Sequence, residues 1–256
     1  MPELAERLAA AGFLSAREEA EQLQRAAGGD ERLLASLAGR RLAGEPLAWI
    51  VGGAELCGLW VRVEVGVYVP RPHTEALALR AAERLPAGGI AVDVCTGSGA
   101  VAAVLADRRP GATVLATDVD ERAVACARAN GIDARAGDLF GPLPAALRGR
   151  VDVVTAVVPY VPTRELRSLQ RDTFAFESAL AYDGGPDGTA VLCRALAGAA
   201  AVLRAGGAAL LELGGDQAGL LEPELDRLGF AAASVLADSD GDVRGIEATL
   251  ARRGVG

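Results

Sequence analysis

Asp93 stands four residues ahead of Gly97 in the stretch "DVCTGSGAVA", where an apolar run gives way to a helical pattern. Gly97 and Gly99 make a tight turn there. Glycines let the backbone approach a ligand, and the start of the following helix offers unpaired N–H groups. The same letters read Gly-x-Gly-x-x-Ala, a dinucleotide fingerprint. In that fingerprint, however, the apolar strand runs directly into the glycines. An acid four residues earlier suits a cationic ligand end better than a pyrophosphate. Asp118 closes "TVLATD" about twenty residues on, where a carboxylate accepts both ribose hydroxyls. Asp120 is the more natural cap for the helix that follows. Asp138, in "AGDLF", follows a short strand and can accept an adenine amino group; its plainer reading is a turn aspartate. A fourth point is "VTAVVPYVPT", where β-branched residues run into Pro159-Tyr160. The glycine turn followed by Asp118 points to an adenosine-type ligand.

The elements that position these residues follow from periodicity. "IAVDVC", "TVLATD", "VDVVTAVV" and "AALLEL" are short apolar strands, and helical stretches begin near Gly99, Asp120 and Asp187. Such alternation predicts an α/β domain with a mostly parallel sheet covered by helices on both faces. Open sheets of this kind bind ligands outside the carboxyl ends of their strands, where the four points lie. "FAAASVLAD" and "IEATLA" supply a closing strand pair. Ahead of the sheet, residues up to about 45 read as helices. Leu4, Leu8 and Ala11 recur at helical spacing, and Ser15 with Glu18 forms a capping box. Gly28-Gly29 stops that helix and Asp30 caps the next, which ends near Gly44-Glu45-Pro46. "WVRVEVGVYVP" alternates around Gly66 and reads as a hairpin or short strands. An amphipathic helix follows from about Thr74 to Leu85.

Composition excludes several chemistries. The chain has 256 residues, 51% of them hydrophobic, enough for one sizeable core with a small accessory domain. It contains no lysine, which removes Schiff-base chemistry and a P-loop. His73 is the only histidine and the four cysteines are widely spaced, so no metal site is expected. A formal net charge of −8, without a local basic patch, argues against a nucleic-acid partner. No apolar run is long enough to span a membrane, and the charged N-terminus is unlike a signal peptide. A soluble cytoplasmic protein is the expectation.

The four strand ends, in this order, resemble a class I S-adenosylmethionine-dependent methyltransferase. Finer motifs narrow the likeness. "GEPLAWIVGGAELCGLWVRVEVGVYVPRPHTE" is similar to the linker of the protein-(glutamine-N5) methyltransferases of the HemK/PrmC type. Pro70 to Glu75 match that family's Pro-Arg-Pro-x-Thr-Glu, and "AYDGGPDG" resembles its Ala-Leu-Asp-Gly-Gly-x-Asp-Gly. The resemblance implies a Rossmann-like, seven-stranded, mostly parallel sheet and three parts: N-terminal helices (1–48) that dock a protein partner, a β-hairpin linker (49–75), and a cofactor-binding domain (76–256). It implies S-adenosylmethionine as cofactor, with Asp93, Thr96, Gly97, Ser98 and Gly99 at its methionine end, Asp118 on ribose, and Asp138 and Leu139 beside adenine. Pro159 and Tyr160 match the last two residues of the family's Asn-Pro-Pro-Tyr, which binds the substrate amide. The implied substrate is the Gly-Gly-Gln glutamine of a peptide-chain release factor.

The chain departs from the family at its chemical centre, with Val157 and Val158 in place of the asparagine and first proline. An amide nitrogen is a poor nucleophile. The family's asparagine oxygen and a backbone carbonyl accept its two hydrogens, aiming the nitrogen and stabilising its growing charge. Valine has no acceptor, and losing one such hydrogen bond costs roughly 2.7–4 kcal/mol, or about 10²–10³ in rate. Two alternatives to amide methylation therefore stand: a more nucleophilic small-molecule or protein acceptor, and a cofactor-binding homologue with weak or lost transfer. Glu177-Ser178 stands where the family often has Glu-Pro. His73 fills the variable place of Pro-Arg-Pro-x-Thr-Glu, a candidate base whose plainer reading is a surface or hinge residue.

Overall fold

The structure, a computed structural model, describes residues 2–168, 176–238 and 240–251. Its N-terminal part is helical: α1 (Pro2–Ala10), α2 (Ala16–Ala27), α3 (Glu31–Leu42) and α4 (Leu47–Val51). Leu4, Leu8, Leu23, Leu37 and Ile50 meet in one buried cluster. α2 ends on Gly28 at φ 57, a left-handed conformation that costs glycine little. Asp30 caps α3, its Oδ1 accepting from the amides of Arg32 (2.8 Å) and Leu33 (3.0 Å). Ser15 does not form the expected capping box. Its backbone sits at φ −96, ψ 38, away from the extended conformation that aims a cap oxygen at the first turn. Arg41 is 4% exposed, and its guanidinium reaches Glu19 at 2.6 and 2.9 Å. α4 serves two clusters: Ile50 packs among the N-terminal helices, while Ala48 and Trp49 pack against Val63, Val67, Ala123 and Cys126.

The hairpin forms earlier than its alternation predicts. β1 (Gly53–Leu56) pairs antiparallel with β2 (Leu59–Arg62). The turn is Cys57-Gly58, at φ 55 and φ 78, the double positive φ of a type I′ turn. Cysteine rarely marks that position, so the turn is hidden in the sequence, and only Trp60–Arg62 of the alternating run is strand. The rest is a loop carrying Gly66 to the ligand side of the sheet, followed by α5 (Thr74–Arg84).

The sheet comprises β3 (Ile90–Val94), β4 (Thr113–Asp118), β5 (Asp133–Ala136), β6 (Val151–Ala156), β7 (Leu203–Glu212), β8 (Phe230–Ala237) and β9 (Val243–Leu250). Their order is β5-β4-β3-β6-β7-β9-β8. The first five are parallel, and β9 is antiparallel to both β7 and β8. The period-2 alternation explains why the strands look apolar throughout: both faces are buried. Ala91, Val153, Ala208 and Leu210 face α5 and α6 (Ala100–Arg108). Val92, Val94, Val154, Ala209 and Leu211 face α8 (Ala190–Val202) and α9 (Gln217–Leu228). α7 (Glu121–Ala129) covers β4 and β5 beside α6. The chain runs outward from β3 to β5 and returns to the other side of β3 as β6. That reversal opens a crevice at the carboxyl ends of β3, β4 and β6. Among the described residues, no helix is long and apolar enough to cross a membrane.

Candidate functional site

A cavity of about 580 Å³ occupies the crevice, within the usual range for small-molecule sites. Gly97, Asp118, Val157, Pro159 and Tyr160 line it, with Tyr68, Arg71 and His73 from the linker. A smaller cavity of about 30 Å³ is lined by Asp93, Thr96 and Ser98, and shares Tyr68, Cys95 and Val157 with the larger one. Eight of the eleven residues singled out from the sequence (Asp93, Thr96, Gly97, Ser98, Asp118, Val157, Pro159, Tyr160) thus line one or other of two cavities that share walls. Gly99, Asp138 and Leu139 line neither.

The glycine turn is built by crossing hydrogen bonds. The Thr96 amide donates to the Thr117 carbonyl at 3.0 Å, and the Gly97 amide to Asp118 Oδ2 at 2.9 Å. The Asp120 amide takes Asp118 Oδ1, also at 2.9 Å. Each Asp118 oxygen still has a free lone pair. Burial pushes the Asp118 carboxyl above the usual range, against the pull of those N–H groups. Such a carboxylate gains from further donors. Asp93 is deeper, 1% exposed. It accepts from Thr96 Oγ1 (2.5 Å) and Thr155 Oγ1 (2.7 Å), and burial raises its pKa to about 6. Its first contacts are thus hydroxyls of its own scaffold. Gly99 answers packing: a Cβ there would lie 2.9 Å from the Ala127 Cβ. The lone asparagine, Asn130, closes the turn from outside, donating to the carbonyls of Ser98 (2.8 Å) and Arg62 (2.9 Å).

The two residues expected beside adenine follow β5. The Asp138 carboxylate is paired with Arg194 of α8. Leu139, at φ 44, is 7% exposed and packs into the core under α8.

At the β6 end, Val158 packs in the core and touches the larger cavity, while Val157 reaches both cavities. Tyr160 donates to Glu212 Oε1 at 3.0 Å, and burial, followed by the Glu212 charge, pushes its phenol well above the ordinary range. The "AYDGGPDG" stretch holds the Pro159-Tyr160 backbone. Val161 and Asp183 form a parallel bridge, and Gln217 Nε2 donates to the Tyr160 carbonyl at 2.7 Å. Gly184 is required by close approach: a Cβ there would meet the Gly188 carbonyl at 2.6 Å and the Pro159 carbonyl at 2.8 Å.

Two buried carboxylates organise the linker side: Glu177, read from the sequence only as part of a family departure, and Glu212, which sequence reasoning missed. Glu177, 6% exposed, takes Arg71 Nη2 at 2.5 Å and the Val69 amide at 2.8 Å, and also bonds the Tyr182 hydroxyl. Glu212, 1% exposed, takes Thr74 Oγ1 at 2.6 Å as well as Tyr160. Glu75 anchors the hairpin by accepting the Cys57 amide at 2.7 Å. The "PRPHTE" segment is therefore a three-way fastener. The available signal for Glu212 was an acid at the carboxyl end of the apolar "AALLEL", a fifth strand end of the same kind.

A family model described as a methyltransferase small domain matches residues 72–138. A release factor glutamine methyltransferase of Moorella thermoacetica is 42% identical over 185 residues, 70% of this chain and 65% of that protein. Those of Bordetella pertussis (40% over 190 residues; 71% of this chain, 69% of the relative) and Geobacter sulfurreducens (33% over 211 residues; 80% and 73%) are also similar. The chain spans about two thirds of the length of these relatives. Among solved structures, a ribosomal protein L11 methylase from Lactobacillus delbrueckii subsp. bulgaricus has a TM-score of 0.52 at 18% identity, covering 75% of this chain and 86% of that one. A chain of the E. cuniculi Mtq2-Trm112 complex, responsible for methylation of the eRF1 translation termination factor, has a TM-score of 0.51 at 23% identity, covering 73% and 99%. These two likenesses show the fold.

Proposed function

The chain belongs to the release factor glutamine methyltransferase family, and we propose that it transfers a methyl group from S-adenosylmethionine to a glutamine side-chain amide of a peptide-chain release factor. The observation that carries this reading is the cavity that joins the Gly97–Asp118 turn to Pro159-Tyr160 at neighbouring strand ends. One space bounded by both segments supports a reading in which the first takes a nucleoside and the second the acceptor.

The residues present fit the cofactor. Asp118 offers a half-buried carboxylate at the cavity wall whose oxygens can accept ribose hydroxyls beside the Gly97 and Asp120 amides. Asp93, behind the turn, adds negative charge where a cationic amino group would be held. When bound, the cofactor supplies an electrophilic sulfonium methyl. Tyr160, fixed by Glu212 through its hydroxyl and by Gln217 through its carbonyl, keeps the acceptor wall rigid. In this reading the backbone carbonyls of residues 157 and 158 accept the amide hydrogens. The Val157 side chain cannot share that role, so positioning of the nitrogen rests on fewer hydrogen bonds than in the family pattern.

That deficit supports a second reading, an acceptor nucleophilic enough to need no amide clamp. Calorimetry with S-adenosylmethionine and with NAD, then labelled methyl transfer to a release factor and to a small-molecule extract, separates the readings. Binding of S-adenosylmethionine and labelling of the release factor are expected. Label in small molecules alone would favour the second reading, and binding of NAD alone would sink both.

A further inference from the structure

We propose that His73, held by the buried Glu212 carboxylate, is the proton acceptor of the transfer. The inference rests on the methyl-transfer reading above and deepens it. His73 Nε2 lies 3.2 Å from Glu212 Oε1, and Glu212 is almost wholly enclosed while His73 keeps about a third of its side chain open. The open part faces the large cavity, whose wall also includes Val157, Pro159 and Tyr160. His73 occupies the cap position of α5, but its side chain makes no capping bond, so the ring is not spent on the helix.

The tautomer follows from the pairing. A carboxylate oxygen can only accept, so Nε2 carries the hydrogen and Nδ1 is left with its lone pair. Among the described residues, nothing bonds Nδ1. Thr74 and Tyr160 hold the same carboxylate at 2.6 and 3.0 Å, which fixes Glu212 and, through it, the ring. Nδ1 is then the ring atom left to take a proton, on a residue that lines the cavity together with Val157, Pro159 and Tyr160.

Methylation of an N–H acceptor must release a proton. The acceptor nitrogen's lone pair forms the new N–C bond, and the methyl's bond to sulfur breaks with its electron pair returning to sulfur. The N–H proton passes to His73 Nδ1, and the imidazolium formed is stabilised by Glu212. The Val157 side chain offers no acceptor for that hydrogen, and a backbone carbonyl is not a base, so a base from the linker answers the deficit at the β6 end. The substrate class is an amide or amine nitrogen that still carries hydrogen.

His73→Ala is expected to lower turnover on a release factor about 10²-fold with wild-type affinity for S-adenosylmethionine by calorimetry, and added imidazole to restore part of the rate. His73→Gln, which fills the space without a base, stays slow with imidazole. Because His73 is the only histidine, its ring nitrogens give single ¹⁵N signals. These should show hydrogen on Nε2 in the free protein and a displaced Nδ1 signal when release factor and S-adenosylhomocysteine are added. Full turnover by a cofactor-binding His73→Ala overturns the inference alone, as does an unmoved Nδ1 signal in a wild type that transfers methyl groups. No transfer by the wild type to any N–H acceptor overturns the functional reading and this inference with it.

Discussion

Asp93→Asn should remove a pH dependence that the buried carboxyl builds into the fold. Asp93 is 1% exposed, and burial raises its folded-state pKa from 3.8 to about 6. Between those values the unfolded chain has released the proton while the folded chain keeps it. Stability therefore falls as pH rises from about 4 to about 6, and levels above that. At 1.36 kcal/mol per unit, a gap of about two units is worth roughly 3 kcal/mol. Other carboxyls move the opposite way: Glu45, Asp120 and Asp238 have folded pKa values lowered by arginine partners. The informative quantity is thus the difference between wild type and Asp93→Asn. Urea denaturation at pH 4, 5, 6 and 7 should show the wild type losing stability relative to the variant across that window, on top of a constant offset from the altered bonds to Thr96 and Thr155. Saturating S-adenosylmethionine, whose amino group favours the ionised form, should narrow the gap. A difference that does not change with pH would refute the reasoning.

Other perturbations follow from the same geometry. Asp118→Ala removes the acceptor of the Gly97 and Asp120 amides together with the proposed ribose contacts. Calorimetry should show S-adenosylmethionine bound about 10–100-fold more weakly, at about 1.5–3 kcal/mol for bonds to a charged group; unchanged affinity would remove Asp118 from the site. Val157→Asn places an acceptor at the β6 end and should raise amide methylation by about 10²-fold in a labelled-methyl assay. No gain, with cofactor bound, would mean that the acceptor side is rebuilt beyond that residue. Gly184→Ala drives a Cβ into the Gly188 and Pro159 carbonyls, at a cost of about 1–3 kcal/mol. Its Tm should fall by several degrees, and a wild-type Tm would show that the segment yields freely.

Much of the architecture is written locally. The apolar runs of β3, β4, β6 and β7 identify strands buried on both faces, and Asp30 and Gly28 mark helix ends by their own conformational preferences. Asp118 stands out as an acid at a strand end after a glycine turn, and its bonds to the Gly97 and Asp120 amides place it at that turn. What stays hidden depends on partners far away in sequence. The Arg194 partner of Asp138 comes from α8, 56 residues on, and the tight packing of Gly99 comes from Ala127 on α7. Glu177 and Glu212 look like ordinary acids, yet each gathers donors from segments over a hundred residues away. The hairpin is displaced because Cys57 takes a left-handed conformation that its residue type does not advertise.

Incubating the protein with S-adenosylmethionine and a peptide-chain release factor, and locating the product by peptide mass spectrometry, tests methyl transfer to the release factor itself. One methyl group is expected on the side-chain amide of the glutamine in the factor's Gly-Gly-Gln segment. An unmodified glutamine, with the methyl found on a small molecule or on no acceptor although the cofactor binds, would contradict the proposed function.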